Sequence, residues 1–275
     1  MRHSQQPVAF FYQMAGFEKL GFPEGFLGEK PVRLDVLECR AGKFVAVNKP
    51  SNVYLEADGI AENPLTIIAG IKAQAGKKEF ERLGMESPYA VFATDPEISG
   101  VALIASNKES SDELRNSFGS GLFEFEFELL SERPYGKVEE IVDLPLIRHE
   151  SKPRAIVSHR FGKKCQTRFE LKEDFGEWQL WSAKTNFLRW HQIRIHAAEA
   201  GLRMVGDDTY VRVRKIYLSR LKRGQFKGEE LAPIYDNLAI HLSRLSFPCG
   251  GEKIEVSAPL PKGFSVLLKK IKNRY

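Results

Sequence analysis

Residues 122 to 130 read Leu-Phe-Glu-Phe-Glu-Phe-Glu-Leu-Leu, an uninterrupted alternation of apolar and acidic side chains. With a side-chain period of two, Phe123, Phe125, Phe127 and Leu129 face one way and Glu124, Glu126 and Glu128 the other. A helix would scatter the same rings around its axis. The segment is therefore predicted as a half-buried strand. Such a strand is stable only inside a larger sheet whose apolar face is covered.

The rest of the chain supplies that sheet. Lys43 to Asn48 is a short apolar strand stopped by Pro50, and Gly100 to Ser106 is a continuous apolar run suited to a fully buried strand. Further strands are expected at 138–146, 166–171, 177–183, 240–247 and 253–258. Asn63-Pro64 has the form of a helix start, followed by Leu65, Ile68, Ile71 and Ala75 at helical spacing. Ser110 or Ser111 is expected to cap a second helix, with Asp112 and Glu113 in its first turn. Helices are also expected at His191 to Ala200, ended by Gly201, and at Phe264 to Lys272. Strands dominate, without regular βαβ alternation. The pattern predicts an α+β fold around a large, mixed, mostly antiparallel sheet with flanking helices. Residues 1–32, rich in glycine and proline without sustained periodicity, are expected to form an irregular extension, and 33–275 the main domain.

Composition narrows the function classes. With 275 residues and 43% hydrophobic content, the chain can bury a substantial core. No apolar run approaches bilayer length, and the stretch Val8 to Tyr12 is too short for a signal core, so a cytoplasmic protein is expected. The three cysteines, Cys39, Cys165 and Cys249, form neither a disulfide framework nor a C-x-x-C pair. Net charge is +5, with basic residues concentrated at Arg212, Arg214, Lys215, Arg220, Lys222, Arg223 and Lys227 and again at Lys269 to Arg274. Tyr210, Tyr217 and Phe226 are interleaved with the first cluster. Cations beside aromatic faces suit single-stranded or looped RNA; a solvated loop with no partner explains the charge equally well.

Several chemistries are excluded. Gly70 to Lys78 has the wrong spacing for a phosphate-binding loop, and no G-x-S-x-G elbow exists. His191 and His196 are five apart, off the shared helix face of a zinc pair, so no metal is expected. One acid remains conspicuous: Asp95, in a turn-like segment directly before the buried strand at Gly100. On that feature alone, an Asp-Pro dipeptide is more often a turn.

Four further segments bear on Asp95. Phe44 to Pro50 reads FVAVNKP. Phe92-Ala93-Thr94-Asp95 is followed by Ser99-Gly100. Arg189 to His196 reads RWHQIRIH, and Val205-Gly206-Asp207 precedes Tyr210. The chain closes with Ile240 to Pro248 and Val256 to Pro261. In order and approximate spacing these segments resemble the NKP, H-R-L-D-x-x-T-S-G, R-T-H-Q-I-R-V-H and I-x-G-D-x-x-Y motifs and the closing strand pair of the RluA-type pseudouridine synthases, over about residues 33 to 263. The resemblance implies the pseudouridine synthase catalytic fold with a central active-site cleft. It also implies isomerisation of uridine in structured RNA, ribosomal or transfer, by a monomer without cofactor. Asp95 then matches the family nucleophile, and Arg194 the arginine that pairs with it, lowering its pKa and fixing its rotamer. Phe125 aligns with a tyrosine that stacks under the flipped base; a register slip of two would put Phe123 or Phe127 there, and a plain core phenylalanine is the alternative. Lys49, Arg189, His191 and Gln192 fall in the motifs as substrate-binding residues.

The departures are specific. Phe92, Ala93 and Thr94 replace His, Arg and Leu of H-R-L-D, and Trp190 replaces the threonine of R-T-H-Q. Phe92 and Ala93 motivate an alternative, a non-catalytic RNA-binding protein on the same scaffold. A small-molecule glycosidase would need a second carboxylate opposite Asp95, for which Glu97 and Asp207 are the candidates.

Overall fold

The structure is a computed structural model in which residues 19–57, 59, 65–85, 87–133, 136–221 and 232–274 are described. Among them, twelve strands form one sheet, whose main path runs β1(Lys19–Phe22), β2(Val32–Arg40), β3(Phe44–Lys49), β5(Ser99–Ala105), β13(Ile240–Cys249), β6(Glu124–Glu132), β11(Trp178–Thr185), β10(Gln166–Asp174), β7(Glu139–Asp143). The other three attach beside this path: β4(Tyr89–Ala90) on β5, β12(Arg203–Met204) on β6 and β14(Glu252–Ser257) on β13. A separate hairpin pairs β8(Leu146–Arg148) with β9(Ala155–Val157). Among the described residues, six helices flank the strands: α1(Ile67–Ala73), α2(Lys78–Arg82), α3(Lys108–Gly119), α4(Gln192–Glu199), α5(Leu218–Leu221) and α6(Lys262–Lys272). This is the α+β, mostly antiparallel architecture that the periodicities require.

The acidic and aromatic alternation of β6 falls as expected. Phe123, Phe125, Phe127 and Leu129 are buried among the main core, which α3 and α4 cover, while the intervening glutamates ion-pair across the sheet with Lys172, Arg244 and Lys253. β6 lies between β13 and β11, with Phe125 opposite Leu245 on one side and Thr185 on the other. Both sides of the strand are therefore paired, which fixes its register and its buried face.

Among the described strands the sheet has one parallel join, where β5 meets β13 through His241↔Ser99 and Leu242↔Gly100. Gly100 has φ +117°, and a Cβ there would stand 2.1 Å from the Leu242 carbonyl oxygen. Only glycine allows the two backbones to approach this closely. His241 ties the join together, with Nδ1 2.9 Å from Ser99 Oγ and Nε2 3.1 Å from the Ala258 carbonyl. The Asp95 turn runs directly into this rigid junction.

Local expectations change in several places. Residues 19–32 are not irregular throughout. Leu20 and Phe22 enter a second core against Ile67, Ile68 and Ile71, and β1 extends the sheet by pairing with β2. The first turn of α3 is capped by Asn107, whose side chain accepts from Ser110 N at 2.9 Å, while Ser110 and Ser111 lie buried inside the helix. α1 starts at its cap Thr66, which accepts from Ala69 N at 3.0 Å; Asn63-Pro64 lies outside the described residues. Of the basic stretch after Tyr210, Val213, Ile216 and Leu221 pack into a third core under α6, and residues 222–231 lie outside the described residues.

Candidate active site

Asp95 is anchored by the start of α4. His191 precedes that helix in a left-handed conformation, φ 57° and ψ 16°, which turns its backbone N–H away from the helix axis. That N–H donates to Asp95 Oδ1 at 3.0 Å. Asp95 Oδ2 has no hydrogen-bond partner among the described residues. The residue is 5% exposed, so the carboxylate is held on one oxygen and unengaged on the other in a nearly dry setting.

The His191 ring continues the network. Its Nε2 lies 3.4 Å from Arg194 Nη1, a group that can only donate, so Nε2 is the acceptor nitrogen. Its Nδ1 then donates to Tyr210 Oη at 2.9 Å, and Tyr210 Oη donates to the Ala155 carbonyl at 3.3 Å. The Trp190 ring stacks on the His191 ring with centroids 4.0 Å apart.

Arg194 does not pair directly with Asp95. Nε donates to Asp207 Oδ2 at 3.1 Å, Nη2 to Thr209 Oγ1 at 2.8 Å, and Nη1 lies 3.5 Å from Glu97 Oε1. Asp207 takes the guanidinium because the Gly206 turn aims it there, its Oδ1 also accepting from the backbone N–H groups of Thr209 and Tyr210. Arg194 acts on Asp95 through space. Nor is the Asp95 pKa lowered. Burial raises it to about 7, outweighing the opposing influence of Arg194, the His191 N–H and Lys49. The expected rotamer lock exists, but His191 supplies it.

Lys49 and Gln192, expected to touch substrate, are committed inside the protein. Lys49 is 1% exposed, and its ammonium donates to the carbonyls of Pro50, Val53 and Pro96 at 3.2, 2.9 and 3.0 Å. It pins the turn that carries Asp95. Burial brings its pKa down to about 7, against the pull of Asp95 and Glu97. Gln192 accepts from Arg189 N at 2.8 Å and donates to Thr167 and Thr185 side chains at 3.1 and 3.0 Å, joining α4 to β10 and β11. Arg189 is half-buried, its guanidinium 5.8 Å from the Phe187 ring centre.

Phe125 is 1% exposed, edge-on to Phe92 with centroids 4.9 Å apart and close to Phe118 and Phe123. The ring that replaces the motif histidine thus packs against the ring that replaces the motif tyrosine. Ala93 is exposed and presents no cation. Sequence reasoning missed Glu97 and Thr209 as partners of Arg194. The G-D-x-T-Y spacing contains the signal for Thr209, whose side chain lies one turn from Asp207. Among the described residues, no cluster of three or more His, Cys, Asp or Glu could hold a metal ion. A groove of about 570 Å³ lies elsewhere, lined by Glu124, Glu126, Arg168, Lys184 and Arg244 among others, and does not include Asp95.

No family model matches the chain. Curated proteins do. The chain is 25% identical over 240 residues to ribosomal large subunit pseudouridine synthase D of Haemophilus ducreyi, covering 84% of this chain and 69% of that protein. It is 25% identical over 245 residues to ribosomal large subunit pseudouridine synthase C of Escherichia coli, covering 87% and 70%. Among solved structures, human RNA pseudouridylate synthase domain containing 4 shares the fold, with a TM-score of 0.64 at 18% identity over 86% of this chain and 92% of that one. Human RNA pseudouridylate synthase domain containing 1 does so with a TM-score of 0.59 at 20% identity over 83% and 84%. With the motifs in order and the fold shared along most of its length, the chain is a divergent relative of the RluA-type pseudouridine synthases.

Proposed function

We propose that this chain isomerises uridine to pseudouridine in ribosomal or transfer RNA, with Asp95 as nucleophile and without a cofactor. The reaction breaks the N1–C1′ bond, forms C5–C1′, removes the proton from C5 and returns one to N1, so atoms and charge balance. The observation that supports it is the Asp95 carboxylate, anchored on Oδ1 by the His191 N–H with Oδ2 unengaged. An anionic oxygen there attacks the base or stabilises positive charge on the sugar. Arg194 and Lys49 supply the nearby positive charge that favours the ionised form, and His191 fixes the direction of attack. The glycosidase reading loses Asp207, which is 1% exposed and committed to Arg194.

The test is incubation of the purified protein with RNA from its own host, followed by mass spectrometry for pseudouridine. Product with the wild type and none with Asp95→Asn is the expected result. RNA binding without any product in either protein would establish the non-catalytic RNA-binding reading instead.

A further inference from the structure

The β8–β9 hairpin and the loop that follows it form a basic arm. Residues 146 to 164 hold six cations, Arg148, Lys152, Arg154, Arg160, Lys163 and Lys164, against one acid, Glu150. This segment stands apart from the basic clusters evident in the sequence, because its charges are spread over two strands and two turns. Folding gathers them.

The arm is preformed and tied to the active site. Lys163 N donates to the Leu146 carbonyl at 2.8 Å and Leu146 N to the Lys163 carbonyl at 3.0 Å, folding the loop back along β8. Gly162 makes that return possible, since a Cβ there would meet the Ser158 carbonyl oxygen at 2.4 Å. Beside the hairpin turn, opposite Arg148, Ala155 N donates to Tyr210 Oη at 2.8 Å, the same hydroxyl that contacts His191.

Two guanidiniums on the arm lie over aromatic rings. Arg148 sits 4.6 Å from the Trp190 ring centre, and Arg160 sits 4.8 Å from that of Phe161, which is 66% exposed. The first pair continues inward, because the Trp190 ring stacks on His191, whose backbone holds Asp95. Arg148, Trp190 and His191 are thus linked by ring contacts, and the last of them holds Asp95 through its backbone. Stacked guanidinium and aromatic planes accept unpaired bases, and the surrounding cations attract phosphates.

Building on the proposed activity, we infer that the β8–β9 arm is the RNA grip of this protein. Arg148 and Trp190 form the shelf on which an unpaired nucleotide beside the target uridine stacks, and Arg148 supplies the cation that Ala93 does not present. The partner is single-stranded or looped RNA, because bases within a duplex present no free face.

Trp190 makes the inference directly measurable. The chain has three tryptophans, and Trp178 and Trp181 are both 0% exposed, which leaves half-buried Trp190 as the fluorophore a base can reach. The experiment titrates the Asp95→Asn protein with a single-stranded RNA of twelve uridines and with a twelve-base-pair RNA duplex. Binding is read by anisotropy of the labelled RNA and stacking by tryptophan emission. The single strand should bind more tightly and quench the emission. Arg148→Ala, a change at an exposed position, should weaken that binding by ~5- to 50-fold, and Trp190→Phe should keep most of the affinity that Trp190→Ala loses. No binding of the single strand, binding with unchanged emission, or full affinity in Arg148→Ala overturns the inference. Pseudouridine is assayed separately on the wild type. Product with a silent Trp190 removes the arm and leaves the enzyme standing; quenching without product does the reverse.

Discussion

The backbone N–H of His191 reaches Asp95 Oδ1 at 3.0 Å, joining the end of one turn to the start of a helix 96 residues later in the chain. His191 is the left-handed cap residue of α4, so its N–H has no acceptor within the helix and is available to the carboxylate. It leaves the carboxylate fixed yet largely desolvated, and that combination governs its titration.

Asp95 should give the reaction an acid limb. With burial holding its pKa at about 7, a step that needs the carboxylate ionised should slow about tenfold per pH unit below that value and level off above it. Single-turnover rates between about pH 5 and pH 8.5 would reveal the limb. A flat profile down to pH 5 would contradict the burial argument.

The same shift affects stability. An aspartate raised from 3.8 to about 7 on folding leaves the native state binding the extra proton across that interval. Its favourable contribution is complete below pH 3.8 and is lost as pH rises to about 7. Asp95→Asn removes the loss. The variant should gain roughly 2–3 kcal/mol over the wild type between pH 5 and pH 8, visible as a growing Tm difference in thermal melts at the two pH values. A constant difference would mean that the carboxylate titrates normally.

Arg194 and Asp207 form a buried ion pair, 3% and 1% exposed at the side chain. Removing only the cation strands the anion, so Arg194→Met should lose about 3–5 kcal/mol in urea unfolding. Adding Asp207→Asn should recover part of that loss. Equal stability of Arg194→Met and wild type would show that Asp207 is satisfied by its backbone donors alone.

Gly100→Ala tests the parallel join. Its Cβ would meet the Leu242 carbonyl oxygen at 2.1 Å with φ at +117°, a clash with backbone that no side-chain rotation relieves. A loss of roughly 3 kcal/mol or more, or failure to fold, is expected. Gly119→Ala is the control, since nothing lies within 4 Å of its Cβ. It should be neutral or stabilising by up to about 1 kcal/mol. Comparable melts for the two variants would refute the close-approach argument.

Elements with a local signal are legible in the order of amino acids. The alternation of β6 and the amphipathic spacing of α6 each fit one element type and one buried face, and the apolar run of β5 fits a strand buried on both, because side-chain period follows from backbone geometry. The order of motifs likewise brought Asp95, His191 and Arg194 into one neighbourhood. How those residues are partnered came only with the folded chain. Arg194 had three acids within reach, and the turn at Gly206 gave it to Asp207. Lys49, 46 residues before Asp95 and in the preceding motif, became the pin of its turn through the Pro96 carbonyl. The sign of the Asp95 shift belongs to the same class, since desolvation depends on everything packed around a group, while the charges named by a motif are only one part of that sum.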